Sequence, residues 1–206
     1  MTQILSIPII AQGDPRWKDR RLGFSDVSIG GYGCAIACLA MLGAYAQHEP
    51  PIPLDELNET LKSNDVYYAH NMLRWPFVET VYPSLLYVTR VDIGAQLATP
   101  AQLKLISDHL SRGVPVVIYV DSSKVQPGLQ QHFVLVTGYD GARMTIQDPW
   151  HGDSAYLCPR YGKTMAEAVW GIVLYDLVEP PDMDLLDEAR RVAARRRRRR
   201  SVMGDE

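Results

Sequence analysis

The chain has 206 residues and 47% of them are hydrophobic, which suits one globular domain with a substantial core, with or without a tail. A net charge of −3 conceals an asymmetry. Residues 1–189 carry 13 basic and 22 acidic side chains, a net charge of −9, whereas residues 190–206 carry eight and two, a net charge of +6. Three cysteines exclude a secreted disulfide framework and favour a reducing compartment. The N-terminal apolar run is short and lacks basic residues, and no apolar stretch reaches about 18 residues, so we expect neither a signal peptide nor a membrane span.

In chain order, the pattern first predicts a short strand at residues 4–10, interrupted by Pro8. A glycine-rich irregular stretch follows and leads into an apolar helix at residues 34–46, which several prolines end. A short amphipathic helix is predicted at residues 54–61. Residues 66–90 mix aromatic residues with turn signals, and the sequence assigns them no element.

The second half begins with a capping box at Thr99, with proline at the first helical position, and its helix runs to about Arg112. A short capped helix is predicted at residues 164–169. Strands are predicted at residues 114–120, 132–139, 143–147 and 170–177, with Asp140-Gly141 as a hairpin turn. Helices precede an antiparallel sheet, so the fold class is α+β, with a central N-terminal helix packed on that sheet.

The domain is expected to occupy residues 1–178. Residues 179–206 are expected to form a Pro-flanked, Arg-rich C-terminal tail, partly helical or disordered. The six consecutive arginines Arg195 to Arg200 repel one another, and they could bind nucleic acid or an acidic protein surface. A solvated, solubilising tail is an equally good reading of the same residues.

Cys34 stands at the predicted start of the apolar helix, where free backbone N–H groups and the helix dipole favour a thiolate. Gly30, Gly31 and Gly33 precede it and would let the backbone approach a ligand closely. This position favours an exposed nucleophile over a buried structural cysteine. Cys38, one turn deeper, is expected to belong to the core.

His132 begins an apolar strand, and Asp148 ends the strand that the hairpin pairs with it. An imidazole between a thiol and a carboxylate is the arrangement that activates a sulfur nucleophile. Asp148 could also be a turn-forming residue before Pro149. Gln12, just before the glycine-rich stretch, could donate its side-chain amide to an oxyanion or be an ordinary loop residue.

Further residues carry weaker expectations. Trp17, Trp75 and Trp150 could line the cleft or pack in the core, and His151 is the reserve candidate for the base. A zinc site built from Cys34, Cys38, His132 and Cys158 lacks a second clustered pair of ligands. We therefore expect no metal and no cofactor.

Several segments together resemble a known family. They are Gln12-Gly-Asp-Pro-Arg-Trp-Lys-Asp, Ile29-Gly-Gly-Tyr-Gly-Cys34-Ala, His132-Phe-Val-Leu-Val-Thr-Gly-Tyr-Asp-Gly and Ile146-Gln-Asp148-Pro-Trp. They are similar to motifs of the C39-like family of papain-fold cysteine peptidases, over residues 8 to about 176. The resemblance implies a papain-like fold, with Cys34 as nucleophile, His132 as base, Asp148 as the orienting residue and Gln12 in the oxyanion hole. Family members that cut bacteriocin leaders read Asp-Cys-Gly at the nucleophile, whereas this chain reads Gly33-Cys34-Ala35, closer to stand-alone bacterial and phage members.

The sequence therefore predicts a cysteine peptidase or amidohydrolase whose substrate is a peptide or a peptidoglycan cross-bridge. One alternative is a non-catalytic binding or structural module, such as a component of a phage-like particle that docks through its arginine tail. Acyl transfer by the same three residues is another. The expected location is the cytoplasm or a virion-like particle.

Overall fold

The structure is a computed structural model that describes residues 3–123 and 125–178. The strands in these residues are β1 (Gln3–Ile4), β2 (Tyr67–Tyr68), β3 (Met72–Leu73), β4 (Leu85–Asp92), β5 (Val116–Asp121), β6 (Gln131–Asp140), β7 (Arg143–Asp148), β8 (Asp153–Tyr156) and β9 (Gly171–Leu177). The helices are α1 (Ile29–Tyr32), α2 (Cys34–Gln47), α3 (Leu54–Ser63), α4 (Pro100–Ser111), α5 (Leu157–Arg160) and α6 (Met165–Ala168), with a 3-10 helix at Trp75–Thr80. The predicted tail lies outside the described residues, so the boundary at residue 178 stays a prediction.

One antiparallel sheet organises the fold, in the strand order β4-β9-β5-β6-β7-β8, with the short β1 pairing with the far end of β6. Helix α2 packs on one face, where its apolar residues meet Val117, Leu135 and Val173 of the sheet. Helix α4 covers the opposite face through Ile106 and Leu110. Because side chains alternate between the faces of a strand, β5, β6 and β9 are apolar on both sides. The predicted α+β class, with a central helix on an antiparallel sheet, is confirmed.

Helix α2 is buried almost all round, which explains its uniformly apolar sequence. The capping box at Thr99 forms as predicted, with Gln102 as its reciprocal partner. The Asp140-Gly141 signal produces a hairpin in which Asp140 pairs with Arg143. Among residues 3–123 and 125–178, no helix is long and apolar enough to cross a lipid bilayer.

The N-terminal strand is much shorter than the predicted residues 4–10. Only Gln3–Ile4 pairs with β6, and Pro8 lacks the N–H group that a continuing ladder would need. The chain nevertheless continues beside the sheet: the Leu5 N–H donates to the Thr137 carbonyl, and the Gln147 side chain donates to the Ile7 carbonyl. These bonds lead the segment to the end of β7.

Two parts of the sheet have no counterpart in the sequence prediction. Strand β4 is an edge strand whose register shifts between Tyr87 and Thr89, so a bulge breaks the alternation that would have revealed it. Strand β8 is four residues long and only partly buried. Both are edge strands of the sheet, where fewer residues are buried and the alternation of apolar and polar residues in the sequence is therefore weakest.

Replacing Gly43 in α2 tests the packing of the central helix. Alanine would be favoured by helix propensity by about 1 kcal/mol, but its Cβ would lie 2.2 Å from the ring of buried Tyr82. Because that ring sits in a fully packed core, we expect Gly43→Ala to lower the free energy of unfolding by about 1–3 kcal/mol in urea titrations. In a Tyr82→Leu background the same substitution should cost much less, whereas an equal cost in both backgrounds would contradict the clash.

Candidate functional site

Cys34 is the first residue of α2, and the chain before it is folded tightly. Helix α1 is capped by Ser28, whose hydroxyl accepts a hydrogen bond from the Gly31 N–H at 3.1 Å. Gly33 joins the two helices, and a Cβ on this residue would lie 2.5 Å from the Ile29 carbonyl oxygen. Gly33 is therefore needed because the backbone of Ile29 leaves no room for a side chain. The sequence had instead led us to expect that this glycine makes room for a ligand. Gly31, in contrast, lines the cleft.

The Cys34 side chain faces the cleft, by which we mean the two adjoining cavities that this residue lines. The residue is only 7% exposed, but it lines two adjoining cavities of about 650 and 130 Å³. Its backbone N–H is at a helix start, where amides lack an intrahelical acceptor. The thiol can thus be reached from two sides while most of the residue is packed.

His132 lies on β6 beside Cys34. Its Nε2 atom is 2.9 Å from Oδ1 of Asp148, which leaves Nδ1 for the cysteine side of the ring. Burial lowers the pKa of His132, but the hydrogen bonds to Asp148 and Cys34 and the charges of both groups outweigh it and raise the pKa to about 9. The surroundings therefore favour an imidazolium ion at neutral pH.

Asp148 is fully buried and accepts hydrogen bonds on both carboxylate oxygens. Oδ1 accepts from His132 and from the Trp150 N–H at 3.1 Å. Oδ2 accepts from Nη1 of Arg160 at 2.8 Å and from the Tyr161 hydroxyl at 2.5 Å. Burial alone would raise the pKa of Asp148, but the bonds from His132, Tyr161 and Arg160 hold it well below its usual range. The same side chain bonds the backbone of the following turn and the ring of His132.

Arg160 neutralises a second carboxylate as well. Asp148 and Asp153 face each other across the β7–β8 pair, a placement that destabilises two like charges. The Arg160 guanidinium donates to Asp153 at 2.6 and 2.8 Å as well as to Asp148. The hairpin can therefore close with both carboxylates ionised.

Gln12 is buried beside the cleft and is held through its backbone N–H and its side-chain Nε2 group. Its backbone N–H donates to the Pro149 carbonyl at 2.9 Å, and its side-chain Nε2 donates to the Gly30 carbonyl at 2.9 Å. The Nε2 group has a second hydrogen, and Gln12 lines the larger cavity together with Cys34. The amide is thus fixed in place next to the nucleophile candidate.

The three tryptophans have different positions. Trp150 is 57% exposed, lines the larger cavity and contacts the His132 ring edge-on at 6.4 Å between centroids. Trp75 is buried and lines the smaller cavity. Trp17 lines neither of these cavities: it is buried beneath the N-terminal segment and donates its indole N–H to the Ala11 carbonyl. Its position is explained by packing.

The remaining candidates lie at or behind this cleft. His151 lines the larger cavity, but the carboxylate of Asp148 is bonded to His132. Cys38 is completely buried, as expected for a core residue, and burial raises its pKa well above the usual value. In the parts of the chain that are described, no group of three or more His, Cys, Asp or Glu side chains is arranged to hold a metal ion.

Sequence reasoning missed two residues that hold Asp148, namely Arg160 and Tyr161. They follow the unpredicted strand β8, at the end of the short helix α5, and no spacing links them to Asp148. A charged residue close after the Asp148 motif was the available hint, since a buried carboxylate needs donors.

Comparison with known proteins gives consistent results for fold and family. A family model described as the Peptidase_C39 like family matches residues 4–174. A crystal structure described as that of a C39-like peptidase from Bacillus anthracis is similar, with a TM-score of 0.50, 17% identity, and coverage of 87% of this chain and 98% of that one. Among curated proteins, none matches the chain.

Two further solved structures have lower scores. One is a double glycine motif protease from an AMS/PCAT transporter in complex with its leader peptide, with a TM-score of 0.49, 17% identity, and coverage of 85% of this chain and 95% of that one. The other is the peptidase domain of Streptococcus ComA, with a TM-score of 0.46, 14% identity, and coverage of 76% and 97%.

The raised pKa of His132 predicts how stability depends on pH. The group binds its proton more tightly when folded, so its contribution is complete below pH 6.5 and is lost as the pH rises toward 9. Over that interval we expect the free energy of unfolding to fall, measured by urea titration at a series of pH values.

The variant His132→Gln should lack this decline. His48→Asn is the matched control, because His48 is exposed at the end of α2, in a left-handed conformation that asparagine tolerates. It should retain the decline. Parallel pH profiles for His132→Gln and the unmodified chain would contradict the assigned proton affinity.

Proposed function

Because the chain belongs to the Peptidase_C39 like family, we propose that it is a cysteine peptidase or amidohydrolase that cleaves a peptide or peptidoglycan amide bond. Cys34 is the nucleophile, His132 the general base and Asp148 the residue that orients the base. The observation that carries this proposal is the 2.9 Å hydrogen bond between His132 and the buried Asp148, with Cys34 interacting with the same ring. A buried carboxylate that is bonded to an imidazole beside an accessible thiol is an arrangement suited to acyl transfer to sulfur.

In the first half of the reaction, the thiol proton passes to Nδ1 of His132 before the attack, which forms the imidazolium ion that the site favours, and the Nε2–H of this ring donates to Asp148. The Cys34 thiolate then attacks the amide carbon, and the carbonyl oxygen becomes an oxyanion. The Cys34 backbone N–H and the second hydrogen of the Gln12 amide are the donors suited to this oxyanion. The bond between Gln12 and Gly30 supports this role, because a donor that is already immobilised needs little reorganisation.

In the second half, the imidazolium of His132 donates its proton to the leaving nitrogen, and the C–N bond breaks. A thioester to Cys34 remains. Water, deprotonated by the now neutral His132, attacks this thioester and releases the carboxylic acid and the thiol. Asp148 stays ionised throughout, which its four donors favour.

Hydrolysis is tested by incubating the chain with a peptide library and with cell-wall fragments and by identifying products by mass spectrometry. We expect cleavage that Cys34→Ala abolishes. On the best substrate, Asp148→Asn should lower kcat by about 10²- to 10⁴-fold, because the carboxylate that orients the imidazole is lost. Product formation by Cys34→Ala at the unmodified rate would refute the proposal.

Thiol reactivity separates this function from a non-catalytic module, the alternative that the arginine-rich sequence suggests. Accessibility alone would make the half-buried Cys158 react before Cys34. If His132 activates the sulfur, iodoacetamide at pH 6 should label Cys34 first, and His132→Gln should slow this labelling about tenfold or more. The matched control His48→Asn should have no effect, and preferential labelling of Cys158 would favour the module.

Acyl transfer uses the same residues but ends differently. Adding a primary amine to the cleavage reaction distinguishes the two: a transfer product that replaces the free acid would make the chain an acyltransferase.

A further inference from the structure

A small pocket adjoins Cys34, and His132 is not among the residues that line it. It has a volume of about 130 Å³, and its apolar walls include Leu22, Leu73, Trp75 and Phe133. Among the described residues that line it, Arg90 carries the charge and no carboxylate is present. The body of the chain is acidic, so an arginine that lines the same cavity as Cys34 is a distinctive feature. We call this cavity the Arg90 pocket.

The Arg90 pocket lies on the acyl side of the scissile bond if the proposed function holds. His132 must protonate the leaving nitrogen, and it lines the larger cavity but not the Arg90 pocket. The leaving half of the substrate therefore occupies the larger cavity. The half that becomes the thioester extends from Cys34 in the other direction, toward Arg90.

Arg90 is held in a defined orientation. Its Nε donates to Oδ1 of Asp92 at 2.8 Å, and the Tyr119 hydroxyl donates to the same oxygen at 2.9 Å. The guanidinium also lies over the Tyr119 ring at 5.6 Å from its centroid. With Nε engaged, Nη donors of the fork remain for a ligand. The Arg90 side chain is one-quarter exposed, so such a bond would be partly shielded from water.

Volume and chemistry together define the occupant. The pocket has room for about four water-sized groups, which is the scale of one medium-sized side chain. A glutamate side chain offers a methylene stem to the rings of Trp75 and Phe133 and a carboxylate that a guanidinium binds through paired hydrogen bonds. We propose that the Arg90 pocket selects peptide substrates with glutamate on the acyl side of the scissile bond.

The test uses fluorogenic peptides that carry glutamate, glutamine, leucine or lysine at each of the first three acyl-side positions. At one position we expect kcat/KM to be about tenfold higher for glutamate than for glutamine, which has the same shape without the charge. Arg90→Gln should bring this ratio close to one, and Arg90→Lys should retain part of the preference because the positive charge remains.

Arg143→Gln is the matched control for loss of a positive charge. Arg143 lies at the hairpin end of the β6–β7 pair, at the opposite end of β6 from His132, and should leave the glutamate-to-glutamine ratio unchanged. A chain that cleaves peptides without a glutamate preference would overturn the pocket proposal and leave the proposed function intact. The same holds for a preference that survives in Arg90→Gln.

Binding to the inactive variant Cys34→Ala separates the two proposals if no peptide is cleaved. Isothermal titration calorimetry with the glutamate peptide should give a dissociation constant about tenfold lower than with the glutamine peptide, and Cys34→Ala/Arg90→Gln should bind both equally. This result would support the Arg90 pocket even where hydrolysis has failed. Equal affinities for the two peptides in Cys34→Ala would overturn it.

Discussion

A carboxylate that is removed from water must find its hydrogen-bond donors within the protein, and Asp148 meets this requirement in full. Its donors come from three parts of the chain: His132 on β6, the Trp150 amide in the following turn, and Arg160 with Tyr161 at the end of α5. Leaving any of these hydrogen bonds unmade would cost free energy, because the carboxylate is buried. The three segments are therefore held in fixed positions relative to one another. The His132 ring thus lies beside Cys34 because it is one of the donors that the buried Asp148 carboxylate needs.

The same contact limits how charge can be distributed at the site. Asp148 is ionised, and Arg160 already shares its positive charge with Asp153. A protonated His132 therefore faces one carboxylate that is partly compensated and the sulfur of Cys34. A more weakly neutralised Asp148 would hold the imidazolium more tightly and make it a poorer acid toward a leaving nitrogen. Arg160 thus influences the proton affinity of His132 through Asp148, to which both residues are bonded.

Local signals explain which parts of this arrangement were predictable. The capping box at Thr99 and the Asp140-Gly141 turn are encoded within a few residues, and the hairpin already places Asp148 near His132. The donors Arg160 and Tyr161 were not predictable, because they reach Asp148 only after strand β8 has paired with β7. Strand β4, with Arg90, was hidden by its bulge and its edge position. Trp17 shows the opposite limit: it belongs to a recognisable motif, but it is buried in the core and lines neither of the cavities beside Cys34.

Gln12 connects the two halves of the site through its own backbone and side chain. The backbone N–H bonds the turn that follows Asp148, and the side-chain amide bonds the glycine-rich segment that leads to Cys34. Cys34 and Asp148 lie 114 positions apart, and this buried residue joins their loops directly. A displacement of either loop would therefore shift the amide as well. Gln12 therefore couples the positions of the two loops, because its backbone is bonded to one of them and its side chain to the other.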